Sequence, residues 1–480
     1  MTACESCGST TTSHKHGWLR WAVLLAMSLV VFGGYYVYDA ISPMKNAMES
    51  ELSISPSDFG WLVSFYALPN LLGITLLGGI LIDKKGIRFA GMLFVITCAV
   101  GAFITALGGS NLFAGSRLAA LMDGKIFGWS AQLQVMILGR FIFGFGGEII
   151  IVAQNKVISR WFKDEELALA FGLNLVICRL GTIAALSFSS LILGHSAQYI
   201  MTFGPDGPGT MILRYPGLPT ALWLSSIIML LSVGAFFLYL TLDRTEVNRS
   251  PQAKEDAFQL SDIVKLLKSR PFIYITILCL TFYSTVFPFL SYATDILINK
   301  YGLPVDRAGI YTSIVTWATI LFTPLSGLMI DRFGKRSSLM IYGSILLILV
   351  HLTIGFTTIN PIIPMAFLGL AFSLVPAAMW PSVPMIVDEK KLGTAYGLMA
   401  QIQCLGLWGV PILMGLVLTA TNKGVTARAV TAGEASWDYR YVMLMMAAIG
   451  TVGLVFAILL KRGERSKHGI GLELPSGARK

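Results

Sequence analysis

The chain has 480 residues, of which 55% are hydrophobic and 13% charged, about half of the roughly 25% charged share of a soluble domain. With a mean hydropathy of +0.71, that composition argues against a soluble enzyme or a nucleic-acid-binding module. The formal charge of +10 follows topology: 23 of the 36 Lys and Arg fall in tails and loops on one side of the predicted membrane and eight on the other, while Arg20, Lys156 and Arg440 lie at span ends and Arg140 and Arg179 deep inside spans. This positive-inside bias places both termini in the cytoplasm.

Predominantly apolar segments of about 20 residues or more recur at 18–42, 58–82, 89–109, 131–158, 167–193, 217–242, 271–298, 308–330, 337–357, 361–387, 392–419 and 440–460. They predict an all-α membrane protein of twelve transmembrane helices. The division is a cytoplasmic tail 1–17, a six-helix half 18–242, a linker 243–270, a second half 271–460 and a tail 461–480. The first span is too long for a signal-peptide core and is expected to remain as an anchor. In the tail, Cys4, Cys7, His14 and His16 loosely follow zinc-ligand spacing. A solvated tail without metal is the preferred reading, and no metal or other cofactor is expected.

Span one carries FGGYYVYDA, in which Tyr35 and Tyr38 share a helix face and Asp39 lies close to the outer surface. Span two contains Tyr66 and LPN, where Pro69 kinks the helix and Asn70 offers an amide, and both Tyr66 and Asn70 are cavity candidates. The loop that follows reads GGILIDKKGIR at 78–88 and aligns without gaps to SGLMIDRFGKR at 326–336. Asp83 and Asp331 fall at helix C-termini, where the macrodipole disfavours an anion and a nearby donor is required. Gly79 and Gly327, one turn earlier, bare the backbone for close approach.

Span four, RFIFGFGGEIIIVAQN at 140–155, places two charges in the membrane, each costing about 2.5–3.5 kcal/mol on insertion scales. Arg140 lies near mid-span and Glu148 about 12 Å further along at 1.5 Å per residue, with Gly144, Gly146 and Gly147 thinning the helix between them. Span five brings Arg179 to a depth comparable with Glu148. Its sequence FGLNLVICRLG (171–181) repeats as YGLMAQIQCLG (396–406), with Cys404 in place of Arg179. The linker's second part spaces Phe258, Leu260, Ile263, Val264 and Leu267 as one helical face, with Ser261 as N-cap, and predicts an interfacial helix. Span ten sets Trp380 between Pro376 and Pro384, whose freed carbonyls suit a cavity wall or a bending gate.

The paired loop motifs and LGRFIFGFGGE resemble signatures of the major facilitator superfamily. RFIFGFGGEIIIVAQN with SRWF, FGLNLVICRLG, VFPF (286–289), MWPSVP (379–384) and LGTAYGLMAQIQCLGL resemble, more narrowly, its branch of lysosomal dipeptide uniporters. The resemblance implies the major facilitator fold, two pseudo-symmetric halves around a midplane substrate site. It implies alternating-access movement of small zwitterions such as dipeptides, and turns Tyr35, Asn70 and Trp380 toward the cavity. For Arg140 it favours a gating or helix-packing role.

Glu148 and Arg179 then receive the ammonium and carboxylate of a substrate. The competing reading is an ion pair that only locks spans four and five, which is often near neutral in stability against an apolar substitute. Two other functions compete: a proton-coupled carrier of another organic anion, with Glu148 or Asp39 titrating, and a transporter-shaped receptor. The expected partners are a small-molecule substrate and the lipid bilayer. No nucleic acid is expected, no accessory glycoprotein subunit is assumed, and the working unit is a monomer. The N-terminal tail shows no acidic dileucine pair, so a bacterial inner membrane or plasma membrane is favoured over a lysosomal one.

Overall fold

In lipid a backbone N–H or C=O finds no water, so apolar spans close their hydrogen bonds within helices. The computed structural model describes residues 17–162, 166–202, 210–243, 260–388, 391–464 and 471–474. The tail with Cys4, Cys7, His14 and His16, and most of the polar part of the linker, lie outside the described residues.

The first half comprises α1 (Gly17–Asp39), α2 (Lys45–Leu52), α3 (Pro56–Ser64), α4 (Leu68–Leu71), α5 (Ile74–Gly108), α6 (Asn111–Ala114), α7 (Arg117–Met122), α8 (Ala131–Trp161), α9 (Leu167–Ser196) and α10 (Leu218–Asp243). After α11 (Leu260–Lys268), the second half comprises α12 (Arg270–Asn299), α13 (Val305–Phe333), α14 (Arg336–Phe356), α15 (Ile362–Met379), α16 (Val383–Ile386), α17 (Leu392–Thr421), α18 (Ala427–Thr431) and α19 (Arg440–Glu464).

Among the described residues, eleven helices are long and apolar enough to cross a membrane, one fewer than the twelve predicted spans. Helix α5 accounts for the difference, because it holds the inner part of span two and all of span three. Gly86 interrupts it at φ 80° and ψ 159°, backbone that only glycine enters without strain. Gly78 lies against Ile149, whereas Gly91 lies against Phe236 and Gly101 against Gly139 and Phe143. The chain therefore passes α8 twice in opposite directions. The matching glycine of the second loop motif, Gly334, also has a positive φ, of 67°.

Span two is broken as Pro69 requires. Helix α3 starts from a capping box of Ser55 and Asp58 and ends at Ser64, and α5 resumes only after Gly73 at φ 90°. The glycines of α8 are contact points. An added Cβ would stand 2.2 Å from the Tyr66 carbonyl oxygen at Gly144 and 2.4 Å from the Phe94 carbonyl oxygen at Gly146. The internal repeat is expressed in packing as well: Gly181 abuts the Phe32 backbone on α1, and its counterpart Gly406 abuts Ser284 on α12.

Two expectations change. Strands β1 (Gln198–Thr202) and β2 (Thr210–Arg214) form an antiparallel pair in register Gln198↔Arg214, where the sequence analysis placed no element. Helix α11 begins at Leu260, so Ser261 stands inside the first turn rather than capping it. Val264 and Leu267 are exposed on α11 and Leu266 is buried, the arrangement of a helix lying along an apolar surface.

Hydrogen bonds between the halves gather at the end of the bundle opposite the termini. There Ser42 donates to the Leu290 carbonyl (2.6 Å), Tyr292 to that of Pro56 (3.2 Å), and Asn299 to Asn46 (3.1 Å). The Gly309 amide donates to Ser190 (2.9 Å). The halves are thus zipped at this far end.

The close α5–α8 crossing leads to a stability prediction. A Cβ on Gly101 would lie 2.4 Å from the Phe143 nitrogen and 2.7 Å from the Gly139 oxygen, both backbone atoms that cannot swing aside. Gly101→Ala should cost about 1–3 kcal/mol by overpacking and lower the thermal melting midpoint of the purified protein. Gly234→Ala, where a Cβ meets nothing within 4 Å, should not. Equal midpoints for the two variants would contradict this account of the crossing.

Candidate functional site

A cavity of about 630 Å³ lies between the halves. Each wall is one face of a helix at helical spacing. Helix α1 contributes Val31, Gly34, Tyr35 and Tyr38, and α17 contributes Gly397, Ala400, Gln401, Cys404 and Leu407. Helix α8 presents Gly147, Glu148, Ile151 and Asn155. The broken spans supply Asn70 and Trp380, where interrupted backbone leaves polar groups free to face a cavity.

Six residues singled out from sequence meet here: Tyr35, Tyr38, Asn70, Glu148, Arg179 and Trp380. Among the described residues no ion pair joins Glu148 to Arg179, so the α8–α9 lock is not formed. Instead Glu148 accepts from the Tyr66 hydroxyl at 3.0 Å. The Arg179 guanidinium lies between the rings of Tyr35 (5.3 Å) and Phe372 (5.2 Å), and its Nε has no hydrogen-bond partner. Aromatic faces attract a cation without neutralising it, so the charge remains available to an anion.

Other polar groups are partly committed. The Asn70 side chain is 2% exposed; its Oδ1 accepts from Thr75 (2.7 Å) while Nδ2 has no partner. Trp380 Nε1 donates to the Tyr283 hydroxyl at 2.9 Å, and the Trp380 carbonyl, which takes the Val383 amide in the short 3-10 turn that follows α15, also accepts from Tyr396 (3.2 Å). Gln401 donates to the Leu71 carbonyl (3.0 Å) at the break in span two.

The residues expected to gate lie elsewhere. Arg140 is 1% exposed, donates to the Val37 carbonyl (3.2 Å) and sits over the rings of Tyr38, Tyr66 and Phe143. It supports the cavity wall from behind. Asp83 pairs with Lys156 on α8, a cation meeting the anion at a helix end, within one half rather than across to the other. Asp331 is exposed near the end of α13. Gly79 and Gly327, expected to admit close approach, face open space: a Cβ on either meets nothing within 4 Å.

Tyr66, a further cavity candidate of span two, also lines the cavity, whereas sequence analysis did not assign Tyr283, Phe287, Gln401 and Gln403, which the structure places there. Their signal was present in part, since two amides in the apolar repeat YGLMAQIQCLG need polar company. Tyr283 carried no such mark, because packed and cavity-facing tyrosines read alike.

The family model described as Major Facilitator Superfamily matches residues 25–304 and 286–477. The chain is 32% identical over 461 residues to a protein of Danio rerio named lysosomal dipeptide transporter MFSD1, covering 96% of this chain and 90% of the relative. Its Homo sapiens namesake is 31% identical over 453 residues, covering 94% and 87%. Among solved structures, a bacterial homolog of the human lysosomal transporter Spinster, inward-facing and occupied, aligns with a TM-score of 0.68 at 14% identity over 92% of this chain and 97% of that one. The nucleoside transporter NupG aligns with a TM-score of 0.66 at 17% identity, covering 93% and 100%. The chain, with its two halves about a central charged cavity, belongs to the Major Facilitator Superfamily of membrane transporters.

Proposed function

We propose that this transporter moves dipeptides by alternating access, without obligatory coupling to an ion. The observation that carries the reading is the pair of opposite charges facing one cavity with no ion pair between them. A zwitterion supplies both missing partners. The substrate carboxylate docks on the Arg179 guanidinium, whose planar fork suits two parallel hydrogen bonds, with Tyr35 and Phe372 holding the guanidinium in place. The substrate ammonium docks on Glu148, oriented by Tyr66. Asn70 offers its free Nδ2 to the peptide carbonyl, and Tyr38 and Trp380 supply apolar walls for side chains. A volume of about 630 Å³ falls in the range of about 300–1,000 Å³ typical of small-molecule sites. The names of the relatives support the same substrate class.

The halves rock about this site, opening the far end when its zipper parts. Both termini are placed in the cytoplasm by the charge bias, and the cavity is complete within one chain, which supports a monomeric unit. Gating belongs to Asp83 and Asp331, with Gly79 and Gly327 beside them, and to Arg140 behind the cavity wall. Gly79 and Gly327, open in the present state, approach the opposite half when the inner end closes.

Two experiments test these assignments. In proteoliposomes, labelled dipeptide should exchange by counterflow, which excludes a receptor that binds without transporting. Arg179→Ala should abolish binding, as should amidation of the peptide C-terminus with the wild-type protein. Glu148→Gln should penalise free-amine peptides more than N-acetylated ones. Charge-assisted contacts contribute about 1.5–3 kcal/mol, so each lost contact should lower affinity roughly tenfold to a hundredfold. If affinity follows melting temperature alone, whichever peptide end is blocked, the dipeptide assignment fails.

The second experiment concerns the gate. Asp83 and Lys156 are 46% and 28% exposed, and exposed pairs contribute only about 0–1 kcal/mol to stability. Asp83→Asn should leave melting and substrate affinity nearly unchanged while slowing transport. An unaltered transport rate with normal expression would remove Asp83 from the gate.

A further inference from the structure

The far-end zipper contains buried charges that play no part in the cavity. Lys45 on α2 pairs with Glu49 one turn later (2.6 Å) and with Asp295 on α12 (2.9 Å), and all three side chains are at most 2% exposed. The Asp295 carboxylate is well supplied with donors. Its Oδ2 takes Lys45 and the Tyr439 hydroxyl (2.8 Å), and its Oδ1 takes Asn299 Nδ2 (2.7 Å). Among the described residues Glu49 accepts from Lys45 alone.

Two buried carboxylates therefore share one ammonium. Among the described residues no second cation pairs with the cluster. Tyr292 on α12 and Phe59 on α3 cover Lys45 with their rings at 5.7 and 6.0 Å, and Tyr215 after β2 and Tyr439 before α19 are buried beside the acids. Arg214 on β2 is taken up by Glu51 at 3.3 Å, and Arg428 on α18 is exposed. One ammonium cannot balance two buried carboxylates, and a buried charge in excess is costly enough that a group neutralises instead. Asp295 has three donors and Glu49 one, so Glu49 is the acid left to neutralise.

We propose that Glu49 is a proton-binding site of the closed far end. Its carboxyl is protonated while the halves are zipped and releases the proton to water when they part. Lys45, Asn46 and Glu49 come from the first half, and Asp295, Asn299 and Tyr439 from the second. Opening therefore splits Lys45 from Asp295 and hydrates both acids. The water that enters is the far-side solution, so the pH of that compartment biases the two states. Because the closed state holds a proton that the open state lacks, acid favours closure and alkali favours opening. This bias does not depend on which substrate occupies the cavity.

The test uses ligand-free full-length protein, so its failure is distinct from failure of the dipeptide reading. Spin labels at Tyr199→Cys and Lys423→Cys, both exposed at the far end on opposite halves, report its opening as a distance distribution. From acid to mildly alkaline buffer, the closed-to-open ratio of the labelled parent should fall by up to about tenfold per pH unit, the limit for one linked proton. Glu49→Gln and Asp295→Asn each leave one acid or fewer against Lys45, and each should abolish the pH response and keep the closed distance. Neutralising both acids together strands Lys45 and should shift the population to the open distance. A parent distribution that ignores pH would overturn the proposal. So would a response retained in Glu49→Gln, which would belong instead to another group such as His195, exposed at the same end.

Discussion

A full charge inside an apolar bundle must be paired, solvated or left for something that arrives later, and Arg179 is in the third position. Its guanidinium lies between Tyr35 and Phe372 without a carboxylate partner among the described residues, and the rest of the site follows from that. Because no acid among the described residues forms an ion pair with it, the space beside it must admit water or an anion, which forbids dense packing at the centre. Phe372 belongs to the second half and Tyr35 to the first, so this cation also touches both bodies that must move in a transport cycle. Cys404, its counterpart in the internal repeat, makes the site electrically one-sided, with the principal charges on the first half and aromatics and amides on the second.

The far end resolves buried charge differently. There Lys45 bridges Glu49 of its own half and Asp295 of the other, and the attraction operates where water is excluded and Coulomb interactions are strong. The cavity leaves its charges without ion pairs, while the zipper holds its ammonium between two acids. The two arrangements lie apart along the bundle, one at the centre and one at the far end. Arg140 mediates between the cavity wall and the helices behind it, fully buried yet bonded to a carbonyl and three rings, so it supports the wall rather than entering the lumen.

Broken helices do complementary work. Span two is interrupted between Ser64 and Ile74, and span ten at Trp380. At each break a side chain of α17 donates to a backbone carbonyl, Gln401 to Leu71 and Tyr396 to Trp380, the latter shared with the Val383 amide. Pro69 and the prolines around Trp380 make both breaks predictable from sequence, because proline removes a donor and clashes with the preceding turn. Which side chains reach these carbonyls was not predictable, since Gln401 is 330 residues from Leu71 and Tyr396 lies on a different helix from Trp380.

Sequence alone determined the twelve apolar passes, the internal repeat with its two loop motifs, and the membership of Glu148 and Arg179 in the central region. These properties are local or periodic: span length, residue type and helical spacing are all written along one stretch of chain. Tertiary structure decided the relations between stretches. It separated Glu148 from Arg179 as a pair, gave the first to Tyr66 and the second to two rings, and confined Asp83 to a contact within its own half. It also assembled the Lys45, Glu49 and Asp295 group, whose members lie in what sequence reads as an outer loop and an unremarkable helix end. The distance between two charges depends on helix rotation and crossing, and those are set by contacts such as Gly101 on α8 and Gly144 on Tyr66, which no single segment encodes.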